Sequence, residues 1–341
     1  MQKNNLRSHA FHTGCTFPSK YLLAAALLAA SALSLLSLMT GRYPLTLGLL
    51  LKGDTQAVRV FVTLRLPRTG MALLGGFGLG IAGYVFQTVF RNPLASPDMI
   101  GVSSGASAGA AFGILFLSSG AFSGALSITA SAFAGGLLAV FLTLALGSLA
   151  PQKGGASIVL AGVAVHSLAQ TFLMILKLLA DPEKELSSIE YWLMGSLGAV
   201  TLRRLPVSLI LGLCSIVGLC LLHRQILLLS LEESESRMLG VPVERLRFAV
   251  LLLATLLTAS IISNTGLISF IGLLAPHTAR LLARDNRFPT FLLSGLWGSI
   301  LLLAADILAR SAGAGELPVS IFTSLLGAPF LIYLVVRSDR P

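Results

Sequence analysis

Apolar runs of about 18 residues or more recur along the whole chain, separated by short polar stretches. A bilayer core needs roughly 20 apolar residues per crossing helix. Ten spans are predicted, at about 21–39, 69–90, 100–117, 124–149, 158–179, 205–222, 248–268, 269–283, 291–308 and 319–336. The runs are long and continuous, not short and alternating as in a transmembrane barrel. The fold class is therefore all-α and polytopic. The eighth span is short and holds Pro276. The third and tenth begin beside Pro or Gly, as broken helices do where protein or a cavity satisfies the backbone.

The junction between the second and third spans, RNPLASPDMIGVSSGASAG over residues 91–109, is unusual. Asn92 and Ser96 each precede proline, which disfavours helix there. The pattern predicts a helix opening at Pro97, with Ser96 as its N-cap and Asp98 beside its positive end. The small residues from Gly101 to Gly109 suit close backbone approach, which a simple tether would not need.

The 341 residues are 55% hydrophobic and 11% charged, against about 25% charged in soluble domains. The net charge of +10 would suggest nucleic acid in a soluble protein. Here Lys and Arg lie in short loops, where they act as topology signals and face anionic headgroups, so no nucleic-acid partner is expected. With both termini in the cytoplasm, 14 Lys and Arg fall inside and 9 outside. Five of the outer nine lie within residues 40–68. Either that loop docks an acidic partner or it merely tolerates charge. The polar start lacks a signal-peptide cleavage pattern, so residues 1–20 read as a cytoplasmic leader before one transmembrane domain, 21–341.

No GxxxxGK[ST], HExxH or CxxC occurs. Cys15, Cys214 and Cys220 lack metal-ligand spacing and read as apolar packing residues. His166, on an otherwise apolar run, reads as a hydrogen-bonded core histidine. Asp306 is the clearest intramembrane acid and stands one helical turn before Arg310, the spacing of an ion pair. An ion-coupled carrier acting alone would show more such acids and histidines.

Four further segments stand out. RLPR at 65–68 pairs two arginines at a helix start, as interfacial anchors or as forked partners for carboxylates. LSLEESESRMLGVPVERLR at 229–247 is amphipathic, with Leu231, Met238, Leu239 and Val243 as an apolar face. Gly240 and Pro242 would break it into two short helices, a platform for a soluble partner. NTGLISFIGLLAPHTAR at 264–280 and ELPVSIFTSLLGAPF at 316–330 suit broken helices or tight packing.

With GLGIAGYVFQ (78–87), LAGVAV (160–165), YWLMGSLG (191–198) and ADILAR (305–310), these segments resemble the FecCD family of bacterial ABC permeases. Members import iron–siderophore complexes, haem or cobalamin. The resemblance spans about residues 60–336. It implies ten helices of the type II importer fold, in the bacterial inner membrane. It also implies a second permease subunit (a copy or a paralogue), two ATPase subunits that bind ATP and Mg, and a periplasmic or lipid-anchored substrate-binding protein. This chain itself would hold no cofactor or metal and perform no catalysis. Arg65, Arg68 and Arg310 correspond to outer cations that receive carboxylates of the binding protein, which competes with an Asp306–Arg310 pair. Glu232, Ser236, Arg237, Leu239, Gly240 and Pro242 correspond to coupling helices, about 229–244, seated on the ATPase. Gly154, Gly155, Ala156 and Ser157 fall at the inner gate, where relatives often carry hydroxyl residues. The implied cargo is an iron chelate, with a ferric siderophore ahead of haem or cobalamin.

Overall fold

The structure, a computed structural model, describes residues 19–41, 43–117, 125–150, 154–202, 205–312 and 315–338. The leader, with Cys15, lies outside the described residues apart from its last positions. Every regular element described is helical. In chain order they are α1 (Ser19–Met39), α2 (Leu47–Leu51), α3 (Thr55–Val60), α4 (Leu66–Val89), α5 (Val102–Phe112), α6 (Ala125–Leu149), α7 (Gly155–Leu179), α8 (Ser187–Leu193), α9 (Leu205–Leu221), α10 (His223–Leu228), α11 (Glu233–Met238), α12 (Val243–Thr265), α13 (Ile271–Ala283), α14 (Phe288–Ser311) and α15 (Val319–Ser338).

Each of the ten expected spans has a helix. Among the described residues six helices are long and apolar enough to cross a bilayer alone, counting α3 and α4 as one 35-residue helix over Thr55–Val89. The join between them is a π-helical turn, Phe61–Arg65. α13 has 13 residues, about 20 Å at 1.5 Å per residue, too short to cross alone.

α4 is the buried centre, with 78% of its apolar window inside the protein. Lipid is as apolar as leucine, so helices in a membrane associate through close packing of small residues. A methyl on Gly76 would strike the Gly298 carbonyl, and one on Gly80 the Ser294 carbonyl. α4 and α14 therefore touch backbone to backbone. Gly105 and Gly135 do the same for α5 and α6, which accounts for the small residues after position 101. At the α4–α14 seam Tyr84 and Phe291 are fully buried and meet edge to face at 5.4 Å.

Two sequence expectations change here and one is met. Pro97 opens a 3₁₀ turn, Pro97–Ile100, and not the long helix. Ser96 is extended and makes no side-chain cap, while Gly101 at φ +86° turns the chain into α5. Only a residue free of Cβ adopts that conformation without cost. Second, the break near residue 266 is real: α12 ends at Thr265 and α13 begins at Ile271, with Gly266 and Phe270 both at positive φ. The Phe270 ring is held against Gly327 of α15. Third, residues 182–193 form a π-helical turn, Pro182–Leu186, followed by α8, where no element was expected.

α1, α14 and the start of α4 meet at one end of the bundle, called the arginine end below. α10, α11 and the start of α12 lie at the other, the platform end.

Candidate functional site

The arginine end starts from an elementary problem. A helix leaves its last four carbonyls without intrahelical donors. α1 ends at Met39, and three of those carbonyls are taken by arginines from other elements. Arg310 Nη1 donates to the Ser37 carbonyl at 3.1 Å, and Arg65 Nη1 to those of Leu38 and Met39 at 2.7 and 2.8 Å. Arg310 also donates to the Thr40 carbonyl and the Ser37 hydroxyl, and Arg65 to the Tyr43 carbonyl. Cations at a helix C-terminus gain from its dipole as well.

Between them stands Arg68. Its Nε donates to Asp306 Oδ1 at 2.8 Å, and its Nη1 lies 3.0 Å from both oxygens of Glu316. Asp306 Oδ2 lies 2.8 Å from Arg310 Nη2, an ion pair whose N–H is not aimed at the oxygen. Asp306 has no exposed side-chain surface, whereas Glu316 is 42% exposed. The structure thus joins Arg65, Arg68 and Arg310 in one cluster, as a shared role requires. It corrects their expected openness: they are 4%, 8% and 8% exposed and are held by partners within the chain. The Asp306–Arg310 pair read from their spacing is present, and Arg68 shares the same carboxylate.

The platform end is built on Ser236. This residue is fully buried, and its hydroxyl donates to the Leu228 carbonyl at 2.7 Å, pinning α11 against α10. Glu233 bridges two arginines, Arg237 at 2.7 Å within α11 and Arg247 at 3.3 Å on α12. Burial pushes the Glu233 carboxyl up, but the hydrogen bonds from Arg237 and Arg247 outweigh it and hold it below its ordinary value. Glu232 precedes α11 as its N-cap without a side-chain bond, and Pro242 precedes α12. Gly240, at φ +77°, reverses the chain between them.

The two short helices are therefore α10 and α11, and Gly240–Pro242 separates α11 from α12. The apolar face is also smaller than expected. Val243 turns into the core, while Met238 and Leu239 project at 80% and 61% exposure.

Residues 154–157 open α7 beside this platform. Gly154 is its extended N-cap, Gly155 sits against Phe90, and Ala156 is exposed. A cavity of about 100 Å³ lined by Gly154, Ile158, Glu244, Arg247 and Phe248 joins the start of α7 to the platform. Ser157, the fourth of these positions, stands in the first turn of α7.

His166 is exposed on α7 and not in the core. Cys214 is exposed on α9 and Cys220 half-buried, so packing does not account for Cys214. Among the described residues no group of three or more His, Cys, Asp or Glu could hold a metal. Sequence reasoning missed Glu316 and Ser37, the two residues that complete the arginine cluster. Glu316 was visible only as the acid opening ELPVSIF, and Ser37 carried no signal in an apolar run.

The model of the FecCD transport family matches residues 27–337. The hemin transport system permease protein HmuU of Yersinia pestis is 36% identical over 82% of this chain and 83% of its own length. The molybdate import system permease protein MolB of Haemophilus influenzae is 34% identical over 90% and 93%. The cobalamin import system permease protein BtuC of Halobacterium salinarum is 35% identical over 83% and 75%. A solved structure of a metal-chelate type ABC transporter in an inward-facing conformation superposes with a TM-score of 0.84 at 32% identity, covering 93% of this chain and 99% of that one. Backbone and sequence agree: the chain belongs to the FecCD transport family and is a multi-pass membrane permease subunit of an ATP-binding-cassette importer.

Proposed function

We propose that this permease carries an iron chelate into the cytoplasm, with ferric siderophore as its cargo. The observation that carries the reading is the division of labour between its two ends. At one end a fixed helix pair presents Met238 and Leu239 to solvent. At the other an arginine cluster with a half-exposed carboxylate closes the bundle. An ATPase seated on the platform and a binding protein on the arginine end would place this chain between fuel and cargo. The platform then faces the cytoplasm, in keeping with the excess of Lys and Arg expected there.

Alternating access follows. Movement of α11 passes through the Glu233–Arg247 contact to α12 and past the cavity at Gly154 to α7. The permease hydrolyses nothing itself, and ATP and Mg belong to the partner ATPase. Binding energy of ATP reaches the chain only as a difference between two conformations.

Relatives named for iron compounds support the cargo. They include an iron chelatin permease of Helicobacter pylori at 36% identity and the achromobactin permease CbrC of Dickeya dadantii at 34%. The test is uptake of labelled ferric siderophore, hemin, cobalamin and molybdate by a strain lacking this gene and by the same strain complemented. Ferric siderophore uptake is expected to disappear and return. Restoration of hemin, cobalamin or molybdate uptake alone would overturn the cargo while leaving the importer intact.

A further inference from the structure

The three arginines at the closed end are not equivalent. Arg65 spends its guanidinium on the carbonyls of Leu38, Met39 and Tyr43. Arg310 spends its own on Ser37, Thr40 and Asp306. Both are held by backbone carbonyls at and just beyond the end of α1. Arg68 has one permanent partner, the fully buried Asp306, and one at the surface, Glu316. Both Glu316 oxygens lie 3.0 Å from the same nitrogen, Nη1.

Glu316 stands in the connection between α14 and α15, and its seat is tight. A methyl on Gly198 would lie 2.5 Å from Glu316 Oε2 and 3.4 Å from Arg68 Nη1. The residues around it are tied to three other segments. The Leu317 N–H donates to the Ala309 carbonyl at 3.2 Å, and the Val319 N–H to the Gly195 carbonyl at 3.1 Å. The Ser320 hydroxyl donates to the Leu267 carbonyl at 2.6 Å, in the break between α12 and α13.

We propose that Glu316 is an internal stand-in for a carboxylate of an acidic partner protein, and that docking proceeds by carboxylate exchange on Arg68. The proposal rests on the docking role given above to the arginine end. Removing one member of a buried charge pair is costly because it strands the other. Exchange avoids that cost, since the Arg68 fork carries a carboxylate before and after. Asp306 cannot leave, being buried on both sides by arginines. Glu316 can, because water already reaches it. The geometry makes Arg68 the exchange point and Glu316 the residue that sets how strongly a partner must compete.

The test uses the complete importer in lipid nanodiscs at low salt, titrated with its own substrate-binding protein carrying a fluorophore. Glu316→Gln removes the competing charge and is expected to tighten binding roughly fivefold. Gly198→Ala crowds the carboxylate off its seat without changing charge and is expected to tighten binding in the same direction. It decides the matter if Glu316→Gln fails to assemble. Unchanged or weaker binding in the assembled variant overturns the proposal. In an Arg68→Gln background the gain from Glu316→Gln should vanish. A gain that persists there would be a general charge effect and would also overturn it. Arg68→Gln alone separates the two readings, with binding expected to weaken at least about tenfold. If it has no effect, docking at this end fails first.

Discussion

Asp306 holds two arginines at once, Arg68 from 238 positions away and Arg310 from one helical turn. Its neutralisation leaves two buried guanidiniums short of a counter-charge. Breaking a buried pair from one side costs about 3–5 kcal/mol. Asp306→Asn is therefore expected to lower stability by about that amount, read as a fall in the thermal unfolding midpoint of the detergent-purified permease. Glu316→Gln, at a half-exposed site, should cost less than about 1 kcal/mol of stability and lower the same midpoint correspondingly less. Equal losses from the two would mean that the cluster does not rank its carboxylates by burial. The Asp306–Arg310 pair was legible from sequence because both residues sit on one helix, four positions apart. The Arg68–Asp306 contact was not, because nothing local records which faces of α4 and α14 meet.

At the scale of elements, the seam between α4 and α14 and the α11 platform make opposite demands. The seam tolerates no added atom. Gly80→Ala drives a methyl into the Ser294 carbonyl, and overpacking of this kind costs about 1–3 kcal/mol. Gly70, on the same helix, has open space around its missing Cβ. There Gly→Ala should stabilise the helix by up to about 1 kcal/mol through propensity alone. Expression level and unfolding midpoint of the two variants, compared side by side, check the seam.

The platform, by contrast, keeps apolar side chains in water. Leu239→Glu should leave the fold unchanged, since Leu239 is 61% exposed, yet abolish co-purification of the ATPase and substrate uptake. Recruitment and uptake at wild-type levels would remove α11 as the coupling element. Acid should loosen the same platform. The lowered value of Glu233 means that its contribution is fully present above the ordinary glutamate range, about 4.3. It is lost as pH falls through the depressed value. Protection against hydrogen exchange over residues 229–242, after correction for the intrinsic pH dependence of amide exchange, is expected to fall once pH drops below the ordinary glutamate range and to stay flat from pH 6 to 8. The break in 229–247 was readable, because Gly240 and Pro242 punctuate it, but the partner of α11 lies before it, in α10, and not after it. The register of these two helices was not readable, since Ser236 looks like a surface residue until Leu228 is seen to accept its hydroxyl.

Across the whole molecule, α1 and α7 are each only 17% buried in their apolar windows, but they expose different chemistry. The open face of α1 carries Leu27, Leu28, Leu35 and Leu36, as lipid requires. That of α7 carries His166, Ser167 and Thr171 among its leucines, near mid-span. Polar groups at bilayer depth face protein or water, not acyl chains. We expect this face to meet a second permease subunit or the water between the two subunits. With Cys15, Cys214 and Cys220 replaced by Ala, Ser167→Cys and Thr171→Cys should react with a charged, membrane-impermeant thiol reagent in the assembled importer. Leu28→Cys and Leu35→Cys should not. Equal labelling at all four would show that α7 and α1 meet the same solvent.

The sequence by itself determined the class of this protein and the order of its parts. Helical character and the breaks at Gly266 and Pro242 follow from hydropathy length and from the backbone limits of Gly and Pro. These are local properties, carried by each segment wherever it packs. The tertiary structure alone decided which polar side chains are free. Three arginines expected to face outward turn inward, because the end of α1 offers carbonyls that need donors and Asp306 offers a charge that needs cations. His166 and Cys214, expected inside, stand on open faces. Burial is a relation between segments, and in a membrane those segments are chosen by which small-residue faces fit together.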